Sequence, residues 1–115
     1  MNKKIGEIIR EIRNKKGISL RRLAEIVNVS NVNILYIEKG KINTSLPILK
    51  GIAKALNYNI DKLLALADMI DDDVRNIINK RPISITNFLR AAKNLTNDDW
   101  NILTKQVLNM NSEVS

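Results

Sequence analysis

Apolar residues recur at helical spacing through the first part of the chain. The first run ends at Gly17, a residue that favours a helix C-terminus, and its apolar positions are Ile5, Ile8, Ile9 and Ile12. A second run follows Ser19, a good N-cap, and its inward positions are Leu23, Ala24 and Val27. The spacing predicts two successive helices, over 5–16 and 20–27.

Two more helices are predicted further along. Ser45 can cap a run that has Pro47 in its first turn, where the missing N–H does no harm. Its apolar stripe consists of Leu49, Ile52, Ala53 and Leu56. Asn57 tolerates the left-handed conformation that ends such a helix. Asn59 then caps a short helix with Leu63, Leu64 and Leu66.

The stretch "IVNVSNVNILYI", residues 26–37, alternates apolar and polar residues and resembles a β-strand. No second strand pattern occurs to pair with it, and a buried unpaired strand leaves its backbone groups unsatisfied. We therefore interpret it as a turn and a helix, with Asn28 in the left-handed region, Val29 beneath the turn and Ser30 as N-cap.

These elements have the spacing of a helix-turn-helix. Counted from Leu20, the small fifth residue is Ala24, which allows close helix approach, and the ninth is Asn28, which accepts positive φ. The apolar contacts that fix the angle between the helices are Leu23, Val27, Val29, Ile34 and Ile37.

Composition narrows the class of protein. Hydrophobic residues make up 44% of the chain but aromatic ones only 3%, which favours an all-α fold. The chain has no cysteine and no histidine, which excludes disulfides, Cys/His zinc sites and catalysis by these residues. We therefore expect neither an enzyme nor a cofactor or metal. Neither a signal peptide nor a membrane span is evident, so we expect a cytoplasmic protein.

Positive charge is concentrated in one part of the chain. Residues 1–67 contain thirteen Lys and Arg against five Asp and Glu, whereas residues 68–115 contain six against seven. A solvated basic face is the plain interpretation, and the asymmetry favours nucleic acid as a partner.

The segments "IREIRNKKGISLRRLA", "YIEKGK" and "GIAKAL" resemble the Cro/XRE-type helix-turn-helix regulators, which include phage repressors, over about residues 4–67. The resemblance implies a five-helix phage-repressor-like DNA-binding domain, 1–67, whose helix at about 31–39 lies in the major groove of an operator. It also implies a structural ion pair between Arg13 and Glu38.

The outward residues of that helix are the candidates for reading bases: Asn31, Val32, Asn33 and Tyr36. Asparagine can bond adenine N6 and N7 together and valine can meet a thymine methyl, so we expect an operator half-site containing A·T pairs. Many relatives have Gln where this chain has Leu20, which cannot bond a phosphate. The expected phosphate contacts are Ser30, Arg21, Arg22, Lys39, Lys41, Asn43 and Ser45.

Residues 68–115 form a second predicted region. Asp71, Asp72 and Asp73 are interpreted as the acidic first turn of a helix that stops before Pro82, rather than as metal ligands. Ser84 is predicted to cap the next helix, and Thr96 with Asp99 the last. These two helices would form a hairpin with apolar stripes; the residues expected at an oligomer interface are Phe88, Leu89, Trp100, Leu103, Val107 and Met110.

Such a short hairpin cannot form a sufficient core by itself, so its stripes must cover the first domain or another chain. We favour self-association, because two helix-turn-helix units on a symmetric operator gain affinity and specificity. The sequence thus predicts a dimeric repressor of transcription. Two alternatives stay open: an antagonist or co-regulator that pairs with another regulator, and a DNA-binding antitoxin whose hairpin holds a toxin.

Overall fold

The computed structural model describes residues 3–114, and within that range it contains helices and no strand. The helices are α1 (Lys3–Lys15), α2 (Leu20–Val27), α3 (Asn31–Glu38), α4 (Leu46–Ala55), α5 (Ile60–Leu66), α6 (Asp72–Lys80), α7 (Pro82–Ala91) and α8 (Asn97–Val114). The predicted all-α fold is confirmed. The strand-like stretch 26–37 forms the end of α2, a turn and α3.

Local chemistry explains the turn between α2 and α3. Asn28 ends α2 with φ 63 and ψ 47, the left-handed conformation that asparagine tolerates better than most residues. Ser30 then caps α3, because its Oγ accepts the N–H of Asn33 at 3.1 Å. Ser19, Ser45 and Asn59 cap α2, α4 and α5 in the same way.

The core lies among α1–α5. Helix α3 packs against α1 and α2, α4 packs against α2 and α5, and α1 also contacts α5. The largest fully buried side chains are Ile9, Leu23, Ile34, Leu49, Ile52, Leu56, Leu63 and Leu64. Burying one side chain of this size contributes roughly 1.5–3 kcal/mol, so these positions hold α1–α5 together.

A backbone contact at Gly6 brings α1 close to the end of α3. A methyl group on Gly6 would clash with the carbonyl oxygens of Ile37 and Glu38. Only glycine allows this approach, and α3 therefore rests directly on the backbone of α1.

The chain divides into two compact units, an N-terminal unit that ends at Arg75 and a C-terminal unit that begins at Asn76. The sequence had suggested a boundary after residue 67. Asp71 opens α6 within the N-terminal unit, where its Oδ1 accepts the N–H of Asp72 at 2.8 Å.

In the C-terminal unit, one predicted helix start is wrong and another is confirmed. Helix α7 begins at Pro82 and not after Ser84, because proline at the first helical position has its φ preset and lacks only an N–H that would have no partner. Thr96 and Asp99 do form a reciprocal capping box at the start of α8, with each backbone N–H donating to the other side chain at 3.1 Å.

Candidate nucleic-acid interface

Helix α3 has one buried side and one exposed side. Ile34 and Ile37 are buried in the core. Asn31, Val32 and Tyr36 are exposed on the other side, Val32 at 54% and Tyr36 at 40%. Together with half-buried Leu35 and exposed Lys39, they spread over roughly 140° of the helix circumference. We call these five residues the exposed arc of α3.

Asn33 lies outside the exposed arc. It is half-buried, and its Oδ1 is a buried atom without a hydrogen-bond partner among the described residues. Bonding adenine at both N6 and N7 requires the carbonyl oxygen and the NH₂ of an asparagine together. In this conformation Asn33 cannot offer both groups to a base, whereas exposed Asn31 can.

A buried ion pair fixes the C-terminal end of α3. Arg13 Nε donates to Glu38 Oε2 at 2.7 Å, and Nη2 donates to Oε1 at 3.0 Å. Nη1 of the same arginine donates to the Ile18 carbonyl at 2.9 Å, so Arg13 also contacts the turn before α2. The hydrogen bonds to Glu38 raise the pKa of Arg13, although burial opposes the rise. The pair that the family resemblance implied is thus formed, and it joins α1 to α3.

The loop after α3 presents exposed polar side chains. Lys39, Lys41 and Asn43 are all exposed. The Lys41 Nζ lies 5.7 Å from the centre of the Tyr36 ring, within range of a cation–π contact. The Lys41 N–H also donates to the Tyr36 carbonyl at 2.9 Å. These contacts hold a cation beside the exposed arc.

The serines expected at phosphates have their hydroxyl groups engaged in capping. Ser30 Oγ caps α3, and Ser45 Oγ accepts the N–H of Ile48 at 3.4 Å. Both serines are exposed, so each hydroxyl can still donate outward.

Arg21 and Arg22 share a carboxylate on their own helix. Each has a guanidinium nitrogen 3.5 Å from an oxygen of Glu25. All three side chains are more than half exposed, so these pairs are weak. The Glu25 carboxylate nevertheless offsets part of the positive charge of the two arginines, which the sequence had suggested for phosphate binding.

A groove of about 450 Å³ lies next to the start of α2. Its lining consists of Glu7, Arg10, Arg13, Leu20, Leu35, Glu38 and Lys39, and we call it the Arg10 groove. Arg10 was not among the residues predicted from the sequence. The only signal for it was its position three residues before Arg13 on the same helix, which places the two side chains on neighbouring faces of α1.

Asp71, immediately before α6, forms an ion pair with Lys50. Lys50 Nζ lies 2.9 Å from Asp71 Oδ1. The hydrogen bond from Lys50, with a second from the Asp72 N–H, lowers the pKa of Asp71. Among the side chains that the structure describes, no cluster of three or more acidic groups is arranged to bind a metal ion.

The C-terminal unit exposes apolar side chains. Phe88, Leu89, Val107 and Met110 are exposed, whereas Trp100 and Leu103 are half-buried. The rings of Phe88 and Trp100 meet edge to face, with centroids 6.1 Å apart and planes at 72°. Four further exposed residues were not predicted: Ile77, Ile83, Ile102 and Leu108. Among the helices described here, none is long and apolar enough to cross a membrane.

The fold agrees with similarity to known proteins. The helix-turn-helix family model HTH_3 matches residues 9–63. An uncharacterized HTH-type transcriptional regulator of Archaeoglobus fulgidus is 40% identical over 60 residues, 52% of this chain and 86% of that protein. The chain therefore belongs to the Cro/C1/XRE-type helix-turn-helix family of DNA-binding transcriptional regulators.

Two further proteins are similar to part of the chain. The competence pilus inhibition repressor of Acinetobacter baylyi is 32% identical over 69 residues, which is 60% of this chain and 63% of that protein's length. The crystal structure of the restriction-modification controller protein C.AhdI of Aeromonas hydrophila has a TM-score of 0.51 and 31% identity. That match covers 53% of this chain and 92% of C.AhdI. The resemblance inferred from the sequence is confirmed.

Proposed function

We propose that this regulator is a dimeric repressor that inserts α3 into the major groove of a two-fold-symmetric operator. The observation that carries the proposal is the exposed arc of α3. Four of its five side chains are exposed, although the rest of the helix is fixed in the core by Ile34, Ile37 and the Arg13–Glu38 pair. A rigid helix with one free face at the surface of a basic unit suits base reading.

Within the exposed arc, we assign adenine recognition to Asn31. Val32 would meet a thymine methyl, and Tyr36 would reach a base edge or a phosphate one turn further along the helix. Asn33 contributes to base reading only if its amide rotates outward, because its Oδ1 is buried in the free protein. The expected half-site therefore contains at least one A·T pair opposite the start of α3.

Phosphate contacts are assigned to the residues that flank α3. Lys39, Lys41 and Asn43 would follow the backbone on the C-terminal side of the helix, and Ser30 and Ser45 would present hydroxyl and backbone donors. Arg21 and Arg22 can contribute only where a phosphate displaces Glu25 from them. These contacts set affinity for any DNA and leave sequence selection to the exposed arc.

The dimer is assigned to the C-terminal unit. Its exposed apolar residues Phe88, Leu89, Val107 and Met110 provide surface that a second copy can cover. A single helix-turn-helix reads only a few base pairs, so two copies on adjacent half-sites supply the affinity that an operator requires. Repression is the proposed sign, since the Acinetobacter baylyi relative is named a repressor.

The test begins with selection of binding sites from a random duplex pool by the purified full chain. We expect a recovered palindrome with A·T pairs in each half. Asn31→Ala should weaken binding to that site by about 1–3 kcal/mol and relax the preference at one base pair. Asn14→Ala is the matched control, because Asn14 is an exposed asparagine on α1 outside the proposed contacts.

Two results would refute the proposal in different ways. Recovery of no preferred sequence would remove the base-reading role of α3. A protein that stays monomeric in sedimentation at operator-binding concentrations, and binds a single half-site, would remove the dimer. In that case the exposed face of the C-terminal unit would belong to a different protein, as an antagonist, co-regulator or antitoxin requires.

A further inference from the structure

The Arg10 groove continues the exposed arc of α3. Leu35 and Lys39 belong to both, and the groove extends from them to Leu20 at the start of α2 and to Arg10 on α1. A DNA strand that borders the major groove around α3 would pass alongside it. We propose that the Arg10 groove holds a backbone phosphate of duplex DNA and that Arg10 and Lys39 are its ligands. This inference rests on the proposed function, because it requires α3 to lie in the major groove.

The charges that line the groove support an anionic occupant. Arg13 and Glu38 are paired with each other in a bidentate contact and leave no net charge. Arg10 and Lys39 are exposed, and neither side chain forms a hydrogen bond or ion pair with another described side chain. The lining thus contains two unpaired cations and one remaining carboxylate, that of Glu7.

The two leucines in the lining leave hydrogen bonding to the side chains of Arg10 and Lys39. Leu20 and Leu35 are half-buried and supply no side-chain donor. A concave site focuses the field of the cations that line it, and a guanidinium can give a phosphate two parallel hydrogen bonds. Lys39 adds a compact charge that adjusts to the position of the phosphate.

The contrast with Arg21 and Arg22 makes the assignment specific. Those two arginines lie beside Leu20 in sequence but are both paired with Glu25. A phosphate at Arg10 displaces no internal partner, whereas a phosphate at Arg21 or Arg22 competes with a carboxylate. Among the arginines near the start of α2, Arg10 is therefore the better ligand.

The experiment compares Arg10→Gln with Lys15→Gln, which removes one positive charge from an exposed residue of the same helix outside the groove. Affinity for the selected duplex is measured at salt concentrations from about 50 to 200 mM. Arg10→Gln should lower affinity about tenfold and reduce the slope of log affinity against log salt by about 0.9. Lys15→Gln should leave that slope unchanged, and the melting temperatures of both variants should match that of the wild type.

Two further variants test the charge and the position of the proposed phosphate site. Glu7→Gln removes the carboxylate from the groove and should tighten binding. Leu20→Gln places an amide donor on the floor of the groove and should restore part of the affinity that Arg10→Gln loses. In phosphate ethylation interference, Arg10→Gln should lose sensitivity at one phosphate on each half-site while the base preferences stay those of the wild type.

Equal salt slopes for Arg10→Gln and Lys15→Gln, with the wild-type ethylation pattern in both, would overturn the phosphate site and leave the proposed function intact. Wild-type protein that shows neither sequence preference nor salt dependence would overturn the proposed function and the phosphate site together. The two failures are therefore distinguishable in one set of measurements.

Discussion

The N-terminal and C-terminal units bury their apolar residues to very different extents. In the N-terminal unit, isoleucines and leucines from α1–α5 are fully buried in one core. In the described part of the C-terminal unit, the only buried hydrophobic residue is Ala92, and large side chains such as Ile83, at 76%, are exposed. The first unit has a core that supports independent folding, whereas the second has apolar surface in excess of its core. The difference indicates that the two units obtain their stability from different sources.

The largest expected effect concerns the buried ion pair in the N-terminal unit. Glu38→Ala leaves Arg13 with a charge that lacks its partner in a buried site, and it should cost about 3–5 kcal/mol of unfolding free energy. Urea unfolding followed by circular dichroism measures the loss. Glu25→Ala is the matched control, because Glu25 forms only exposed pairs worth about 0–1 kcal/mol. Similar losses in both variants would mean that burial does not distinguish the two sites.

The second prediction concerns the C-terminal unit, which contains Trp100, the only tryptophan of the chain. If self-association stabilises this unit, a hundredfold dilution should lower its stability by about 2.7 kcal/mol through mass action. Tryptophan fluorescence during urea unfolding reports this unit alone, while circular dichroism reports all helices. We expect the fluorescence midpoint to fall on dilution. A midpoint independent of concentration would contradict stabilisation by a second copy.

A smaller effect is expected where α1 meets the end of α3. Gly6→Ala places a methyl group against the carbonyls of Ile37 and Glu38, and overpacking of this kind costs about 1–3 kcal/mol. Affinity for DNA should fall with stability, because the displaced helix carries the exposed arc. Gly51→Ala is the control, since a methyl group there meets only the side chain of Val27, at 3.4 Å. A Gly6→Ala protein with wild-type stability and affinity would show that the backbone contact is not required.

A similar magnitude is expected at the turn between α2 and α3. Asn28→Ala should cost about 1–2 kcal/mol, because alanine pays the full steric cost of positive φ. Asn28→Gly should be close to neutral or slightly stabilising. Thermal unfolding of the pair of variants measures the difference, and equal melting temperatures would contradict a conformational origin.

The smallest effect is the pH dependence of the contact between Lys50 and Asp71. The pKa of Asp71 is lowered from 3.8, mainly by Lys50, so its contribution to stability is present above that pH and lost as pH falls through the lower value. The pKa of Lys50 is raised from 10.5, so its contribution is present below that pH and lost as pH rises through the higher value. Asp71→Asn should flatten the acid limb of a stability–pH curve. An unchanged acid limb would show that other carboxylates account for it.

The sequence predicted the local features of the fold well because these depend on neighbouring residues. The caps at Ser19, Ser30 and Ser45 and the left-handed turn at Asn28 follow from the chemistry of a few adjacent positions. The start of α7 was predicted wrongly because two residues competed for it, and the preset φ of Pro82 prevailed over the capping ability of Ser84.

The candidate site could be predicted only in part, because exposure depends on the helices that pack around it. Asn33 looked equivalent to Asn31 in sequence, but the packing of α3 leaves one amide half-buried and the other exposed. Arg21 and Arg22 looked free until the structure placed them at Glu25. Arg10 gains its significance only when α1, α2 and α3 meet around one groove.

The contacts that orient α3, at Gly6 and between Arg13 and Glu38, involve different residues from those proposed to read bases. None of these contacts involves the side chains of Asn31, Val32 or Tyr36, so those three side chains do not fix the helix against α1. Substitutions there should rewrite the DNA sequence that the protein recognises while its architecture stays the same. Three substitutions on α3 would then be enough to change the preferred operator, and the fold of the N-terminal unit would be kept.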